Sequence, residues 1–252
     1  MRALLARLER DDVRLPGGDR LTPRRLRQLG AMLGMSAGLE KLHHILELPP
    51  GSPAFLHDVE AALSFARNPL YAILHEACWA DGGATRWSAQ RMLPTAGLES
   101  EPELFTGEHV FAWMFEEYGA LAPLREAALL LAEHEWPRLY DPARLAANAV
   151  PVAAAIYADD MHVERAFSEQ TAAAIGGLRP WLTNELHHDA LRIEGDRVLG
   201  RLDRHAARAR LTGGCSRTLR VAGTLRYGAP MGFFKRRSGG GGGGDGGGGG
   251  GG

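Results

Sequence analysis

Two side chains twenty-eight positions apart, Asp160 and His188, are the residues of this sequence best suited to acid–base chemistry, and each follows a short strand-like run. Val150-Pro-Val-Ala-Ala-Ala-Ile-Tyr157 is apolar and uncharged and reads as a buried strand. Residues 167–175 have helical spacing, Gly176-Gly177 breaks it, and 178–183 reads as a second strand. Strand, helix and strand of these lengths make a parallel crossover unit. In such a unit the carboxyl ends of both strands reach one edge of the sheet, so an acid at the first tip and a histidine at the second become neighbours. A carboxylate on one imidazole nitrogen fixes the tautomer and stabilises the imidazolium, and the other nitrogen is then free to take a proton from a nucleophile. The competing reading is that Asp159-Asp160 opens a loop and His187-His188 is a solvated turn.

Three stretches carry a resemblance. Pro151-Val-Ala-Ala-Ala-Ile-Tyr-Ala-Asp-Asp-Met161, Gly177-Leu-Arg-Pro-Trp-Leu-Thr-Asn-Glu-Leu-His-His-Asp-Ala-Leu-Arg192 and Phe105-Thr-Gly-Glu-His-Val-Phe-Ala-Trp-Met-Phe-Glu116 resemble the larger bacterial proline iminopeptidases, which are α/β-hydrolase serine peptidases. The likeness runs from about residue 5 to about residue 203. It implies the α/β class: the C-terminal part of an α/β-hydrolase core, preceded by a mostly helical cap. It implies release of N-terminal proline from peptides, with Asp160 as the acid that orients the base His188, in the order this fold follows after its serine. The acid directly before Met161 matches better, which favours Asp160 over Asp159. Glu108 lies where the family places a carboxylate facing the free amine of the substrate, a contact made by charge-assisted hydrogen bonds; the alternative is a surface acid on a cap helix. Glu76, Glu116 and Glu117 are weaker candidates for a second acidic contact. No cofactor or metal is implied, and the expected partner is a peptide with an N-terminal proline. Rival readings are an esterase or epoxide hydrolase on the same fold, and a non-catalytic helical binding module.

An acid and a histidine perform no acyl transfer without a nucleophile, which in this fold sits in Gly-x-Ser-x-Gly between a buried strand and a helix. Gly34-Met-Ser-Ala-Gly38 matches the letters. Yet residues 23–33 before it carry three arginines at helical spacing, which a central strand would not. Ser36 therefore reads as a capping serine between two helices. In the resembling family the elbow lies upstream, so the expectation is a C-terminal piece of a longer hydrolase, inactive alone. Glu40-x-x-His43 and His187-His188-Asp189 have isolated features of metal sites, and neither has a completing cluster. Trp79, Trp87, Trp113 and Trp136 read mainly as packing residues, one or two of which could wall an apolar pocket.

Several helices must position these groups. Helical spacing is expected over 1–10, 23–33 (capped by Thr22 with Pro23 at its first position), 39–48, 53–67, 85–92, 121–134 and 142–148, with 71–77 helical and 104–115 ambiguous. Residues 1–145 thus form a helical cap region, within which 104–118 is a candidate to return toward the core, and 146–203 form the core part. Residues 204–252 hold eight Arg and one Lys against one Asp and end in thirteen glycines around Asp245. Such a basic, glycine-rich tail cannot bury enough apolar surface to order itself, and disorder is expected over 213–252. Its few aromatic residues argue against nucleic-acid binding. Two distant cysteines, Cys78 and Cys215, indicate no disulfide framework, and no run of eighteen apolar residues exists. A cytoplasmic protein with no membrane partner is the expectation; oligomeric state is open.

Overall fold

The computed structural model describes residues 1–212, with side chains described to residue 207; the disorder expected over 213–252 lies outside the described residues. Proline and hydroxyl side chains set where several of the first helices begin. After α1 (Arg2–Arg10), which buries Leu5 and Leu8, Thr22 accepts the Arg25 N–H at 3.3 Å and Pro23 opens α2 (Pro23–Arg27). The run expected as one helix over 23–33 tightens here into a 3-10 helix (Gln28–Gly34). At this point the chain around Thr106 crosses it: Thr106 N–H donates to Arg27 O (3.0 Å) and the Gln28 amide donates to the Thr106 hydroxyl (2.6 Å). α3 (Gly38–Glu47) follows, and Ser52 caps α4 (Pro53–Leu63) through the Phe55 N–H at 3.2 Å. α4 stops short of the expected residue 67 because Ser64 is extended, and Phe65 turns instead onto the rings of Tyr71 and Tyr118.

α5 (Pro69–His75) runs into a 3-10 turn (Glu76–Trp79). Of the helix expected over 85–92 only α6 (Ser88–Met92) forms, because Arg86 and Trp87 have φ of 50° and 59°, values outside any right-handed helix. The ambiguous 104–115 stretch is loop that ends in the single turn α7 (Met114–Glu117). α8 (Arg125–Glu133) and α9 (Pro142–Ala146) complete this region, the latter capped by the Asp141 carboxylate on the Ala143 and Arg144 N–H groups (2.9 and 3.1 Å).

One core binds these pieces. Leu8, Leu21, Leu26, Leu29, Phe55 and Val59 are fully buried together with Phe111, Phe115, Tyr118 and Leu121. Each such side chain contributes about 1.5–3 kcal/mol, so segment 104–118 is anchored chiefly by its aromatic residues inside the helical region. Arg25, 2 % exposed, is tolerated there because Asp19 (2.9 Å), Glu117 O (3.1 Å) and the Tyr118 ring (3.8 Å) surround its charge.

The strands then appear as the sequence pattern expects. β1 (Val152–Tyr157) and β2 (Leu178–Thr183) pair in parallel, from Val152 opposite Leu178 to Tyr157 opposite Thr183, with α10 (Arg165–Ala174) as the crossover. The chain is mixed helix and strand with a two-stranded parallel sheet, compatible with part of an α/β fold. α11 (Ala190–Ile193) and α12 (Gly195–Thr212) follow, and α12 runs through the 203/204 boundary drawn from composition. A second, smaller core joins Trp181 to Leu186, Ala190 and Val198, with Ala155, Tyr157 and Leu202 at its margin. Alternate residues of a strand face opposite ways, so Ala155, Tyr157 and Trp181 turn one face of the sheet to α12 while Leu182, 43 % exposed, faces away.

The starts of the two strands are tied by Asn148, whose amide donates to Val150 O (2.7 Å) and Gly176 O (2.8 Å), and by Gly176 N–H to Leu145 O (2.8 Å). A Cβ at Gly176 would lie 2.4 Å from Ala146 O and 3.0 Å from Asn148 O, both main-chain atoms. Gly176→Ala is therefore expected to destabilise the chain by about 1–3 kcal/mol. A urea midpoint equal to that of the wild type would show that the β2 entry yields without cost.

Candidate functional site

The parallel ladder continues one bond beyond the strands: Ala158 N–H donates to Thr183 O at 2.8 Å. Both strand tips are thereby held level at one rim. Asp160 lies in the turn leaving β1. Its Oδ1 accepts the main-chain N–H groups of His162 (2.8 Å) and Val163 (3.0 Å), a turn that aspartate forms readily. Oδ2 lies 3.1 Å from Nδ1 of His188, in the turn leaving β2. The Asp160 side chain is 7 % exposed and that of His188 37 %. A carboxylate can only accept, so Nδ1 carries the proton and Nε2 is the nitrogen left to exchange one. Burial pushes the Asp160 carboxyl up, but the His188 contact and the two N–H donors outweigh it and hold the group below its ordinary value. Asp159 is exposed, and so is His187.

Glu108 reaches this rim from the loop before α7, through a residue that sequence reasoning did not single out. His162 Nδ1 lies 2.8 Å from Glu108 Oε2, close enough for an ion pair though not aligned as a hydrogen bond, and the His162 side chain is only 6 % exposed. The His162 and His188 rings are 4.6 Å apart, tilted by 45°. The Tyr71 hydroxyl of α5 donates to the other oxygen, Oε1 of Glu108. His162 and Tyr71 together outweigh burial and hold the Glu108 carboxyl down to about 2. Reciprocally, Glu108 raises His162 against the opposing effect of burial. Burial keeps His75 and His109 below the ordinary histidine value. The only sequence signal for His162 was its place two residues after the acid, where the turn closed by Asp160 directs it back to the rim.

Glu108, Tyr71 and His162 line a cavity of about 180 Å³ whose other walls include Phe65, Val110 and Met114. An aromatic and imidazole wall continues from Tyr71 through His75 and Trp79 to His109, with successive ring centroids 5.3, 6.2 and 5.9 Å apart. Few polar groups converging in a mostly apolar recess is how small-molecule sites are built. A recess of about 340 Å³ lined by Leu178, Arg179, Pro180 and His205 lies toward the opposite end of β2 from this rim.

The remaining candidates are placed elsewhere. Ser36 follows a 3-10 helix rather than a strand, and it caps no helix: the first turn of α3 has no side-chain cap. Its hydroxyl and N–H instead both donate to Asp189 Oδ1, at 2.7 and 3.0 Å. Glu76 is buried and accepts the Ser88 N–H (2.9 Å); Glu116 pairs with Arg125 (3.3 Å) and Glu117 with Arg24 and the Thr22 hydroxyl. His43 is exposed, 3.5 Å from Glu47, and Trp113 stacks on Phe111 beneath the Arg24 guanidinium. Among the described residues no group of three or more His, Cys, Asp or Glu could hold a metal ion, and no helix is long and apolar enough to cross a membrane.

This arrangement is a carboxylate–imidazole pair at the rim of a parallel sheet, beside a small recess bearing one further carboxylate. No family model matches the chain. It is 46 % identical over 210 residues to the proline iminopeptidase of Aeromonas sobria, covering 80 % of this chain and 49 % of that protein. It is 32 % identical over 212 residues to proline iminopeptidase aneH of Aspergillus aculeatus, covering 79 % and 47 %. The chain is thus a homologue of proteins named proline iminopeptidase, and it spans about half the length of these curated relatives.

The Glu108–His162 pair makes stability depend on pH with a definite sign. A depressed carboxyl contributes stability that is present above its ordinary value of 4.5 and lost as pH falls toward about 2. A raised imidazole contributes stability that is present below 6.5 and lost as pH rises through its folded value. The stability difference between wild type and Glu108→Gln is therefore expected to peak between pH 4.5 and 6.5 and to shrink on either side. Urea midpoints measured from below pH 4.5 to above pH 6.5 check it; a difference that stays constant through both limits would mean the pair is not ionic.

Proposed function

We propose that this chain carries the acid–base half of a serine-type aminopeptidase of the α/β-hydrolase class, which releases N-terminal proline from peptides. The observation that carries the reading is the Asp160 Oδ2 to His188 Nδ1 contact of 3.1 Å at the strand rim, adjoining the cavity that bears Glu108. The names of both relatives point the same way. In this reading Asp160 orients His188 and stabilises its imidazolium, and His188 Nε2 takes the proton of a serine hydroxyl and later delivers it to the leaving amine. In this reading the serine lies in the part of such a protein that this chain, at about half the length of its relatives, does not span. Residues 1–145 act as the cap over a core part formed by 146–203.

The recess supports the substrate class. Glu108 offers a carboxylate held ionised at neutral pH, suited to a cationic amine, and Phe65, Val110 and Met114 offer apolar walls suited to a pyrrolidine ring. A volume of about 180 Å³ admits a single small residue, which favours removal of one residue from a free N-terminus.

A chimera tests the reading: this chain replaces the matching half of the Aeromonas sobria protein, and chromogenic proline amide, alanine amide and ester substrates are compared. Proline amide cleavage is expected, and His188→Ala is expected to reduce kcat by about 10⁴–10⁶-fold. Cleavage of esters alone by the folded chimera would remove the peptidase assignment.

A further inference from the structure

His162 is not required by an acid–base pair, yet it is the residue through which Glu108 meets that pair. Its main-chain N–H helps to fix Asp160 (2.8 Å), its Nδ1 faces Glu108 (2.8 Å), and its ring lies 4.6 Å from the ring of His188. The ring is enclosed on its remaining edge. A Cβ at Gly34 would stand 2.2 Å from its Cδ2 and Nε2, so the 3-10 helix closes over it where only glycine leaves room. Neither ring nitrogen has an aligned hydrogen-bond partner. Burial of an imidazolium without such partners favours its neutral form. Its charge is thus sustained mainly by the Glu108 carboxylate, aided more weakly by Asp160 and Asp189. The other groups facing this cluster are His188 from the β2 turn, His109 from the loop of Glu108, and Tyr71 and His75 from α5.

That dependence makes the charge of His162 conditional on what Glu108 is doing. An ammonium ion seated on Glu108 competes for the same carboxylate, and the imidazolium beside it loses its counter-charge. We propose that His162 is a positioning residue that couples occupancy of Glu108 to His188: a cationic amine on Glu108 displaces the His162 proton to solvent, which removes a like charge from beside the general base. The inference rests on the reading of Glu108 as the amine site. Its consequence is specificity in the chemical step. His188 must become an imidazolium during acyl transfer, and a second imidazolium at 4.6 Å opposes this. A ligand lacking a free cationic amine leaves that opposition in place even when its ring fills the cavity.

The test uses the full 252-residue chain with imidazole resonances followed by NMR across about pH 5 to 9, the range in which histidines titrate. L-Prolinamide is the probe and N-acetyl-L-prolinamide the uncharged control. Prolinamide is expected to lower the titration midpoint of His162 by about one unit or more and to raise that of His188; the acetylated control is expected to move neither. Calorimetry in phosphate and in Tris, whose ionisation enthalpies differ, is expected to register proton release on prolinamide binding. In His162→Gln the His188 midpoint is expected to be insensitive to prolinamide. Saturable prolinamide binding that is lost in Glu108→Gln, with the His162 midpoint unmoved in the wild type, would overturn the coupling and leave the amine site standing. Binding unaffected by Glu108→Gln, or no saturable binding, would overturn the amine site and the coupling together.

Discussion

Parallel pairing of β1 with β2 is the constraint on which the site depends. In a parallel pair both chains leave the sheet at the same edge, and the register from Val152 opposite Leu178 to Tyr157 opposite Thr183 ends the two strands level. The turns that follow then deliver Asp160 and His188 to one place. Side chains alternate across a strand with a period of two residues, so a slip by one would exchange the faces of Ala155 and Trp181. The small core shared by those residues with Leu186, Ala190 and Val198 opposes such a slip. Stability of that core and geometry of the acid–base pair are therefore set by the same register.

At the rim five groups follow one another, Tyr71, Glu108, His162, His188 and Asp160, with a ring contact rather than a hydrogen bond between the two imidazoles. Two carboxylates flank two imidazoles, each carboxylate depressed and closely paired with one ring. With both rings protonated the charges balance but the rings repel; with one protonated the cluster keeps a net negative charge. On the proposed reading the second state is the more useful, since a carboxylate cleft raises the local concentration of cations.

Much of this was legible in the sequence, for physical reasons. An uncharged run such as 150–157 has few alternatives to a buried strand, and Gly176-Gly177 marks the end of the crossover helix. Together these place Asp160 near His188 without any coordinates, although the roles of the two residues remain a proposal. A helix start was legible at Thr22, where a hydroxyl precedes proline; the matching cap at Ser52 came only from the structure. Lengths were less so: the 23–33 helix changes to 3-10 geometry under Thr106, and the 85–92 helix loses its first turn to the left-handed Arg86 and Trp87, both tertiary effects. His162 escaped notice because its importance comes from a turn that redirects a residue with no motif of its own. Ser36 follows a 3-10 helix rather than a strand, and its partner Asp189 is 153 positions away, which no local pattern encodes.

The placement of the site between two cores explains why its contacts are polar. The helical region has its own buried cluster, and the strands with α12 have another. Where the two regions meet at the rim, the contacts are Ser36 with Asp189, Glu108 with His162, and Gly34 against the His162 ring. Polar contacts contribute less net stability than apolar burial, yet they fail more sharply with angle and distance. A junction held this way can open locally at smaller cost than either core. On the proposed reading, a shift of the helical region over the rim with both cores intact is what a cap would need in order to admit a substrate. On that reading the contact that would hold it closed runs through His162, so the group proposed to respond to the amine also fastens the helical region to the rim.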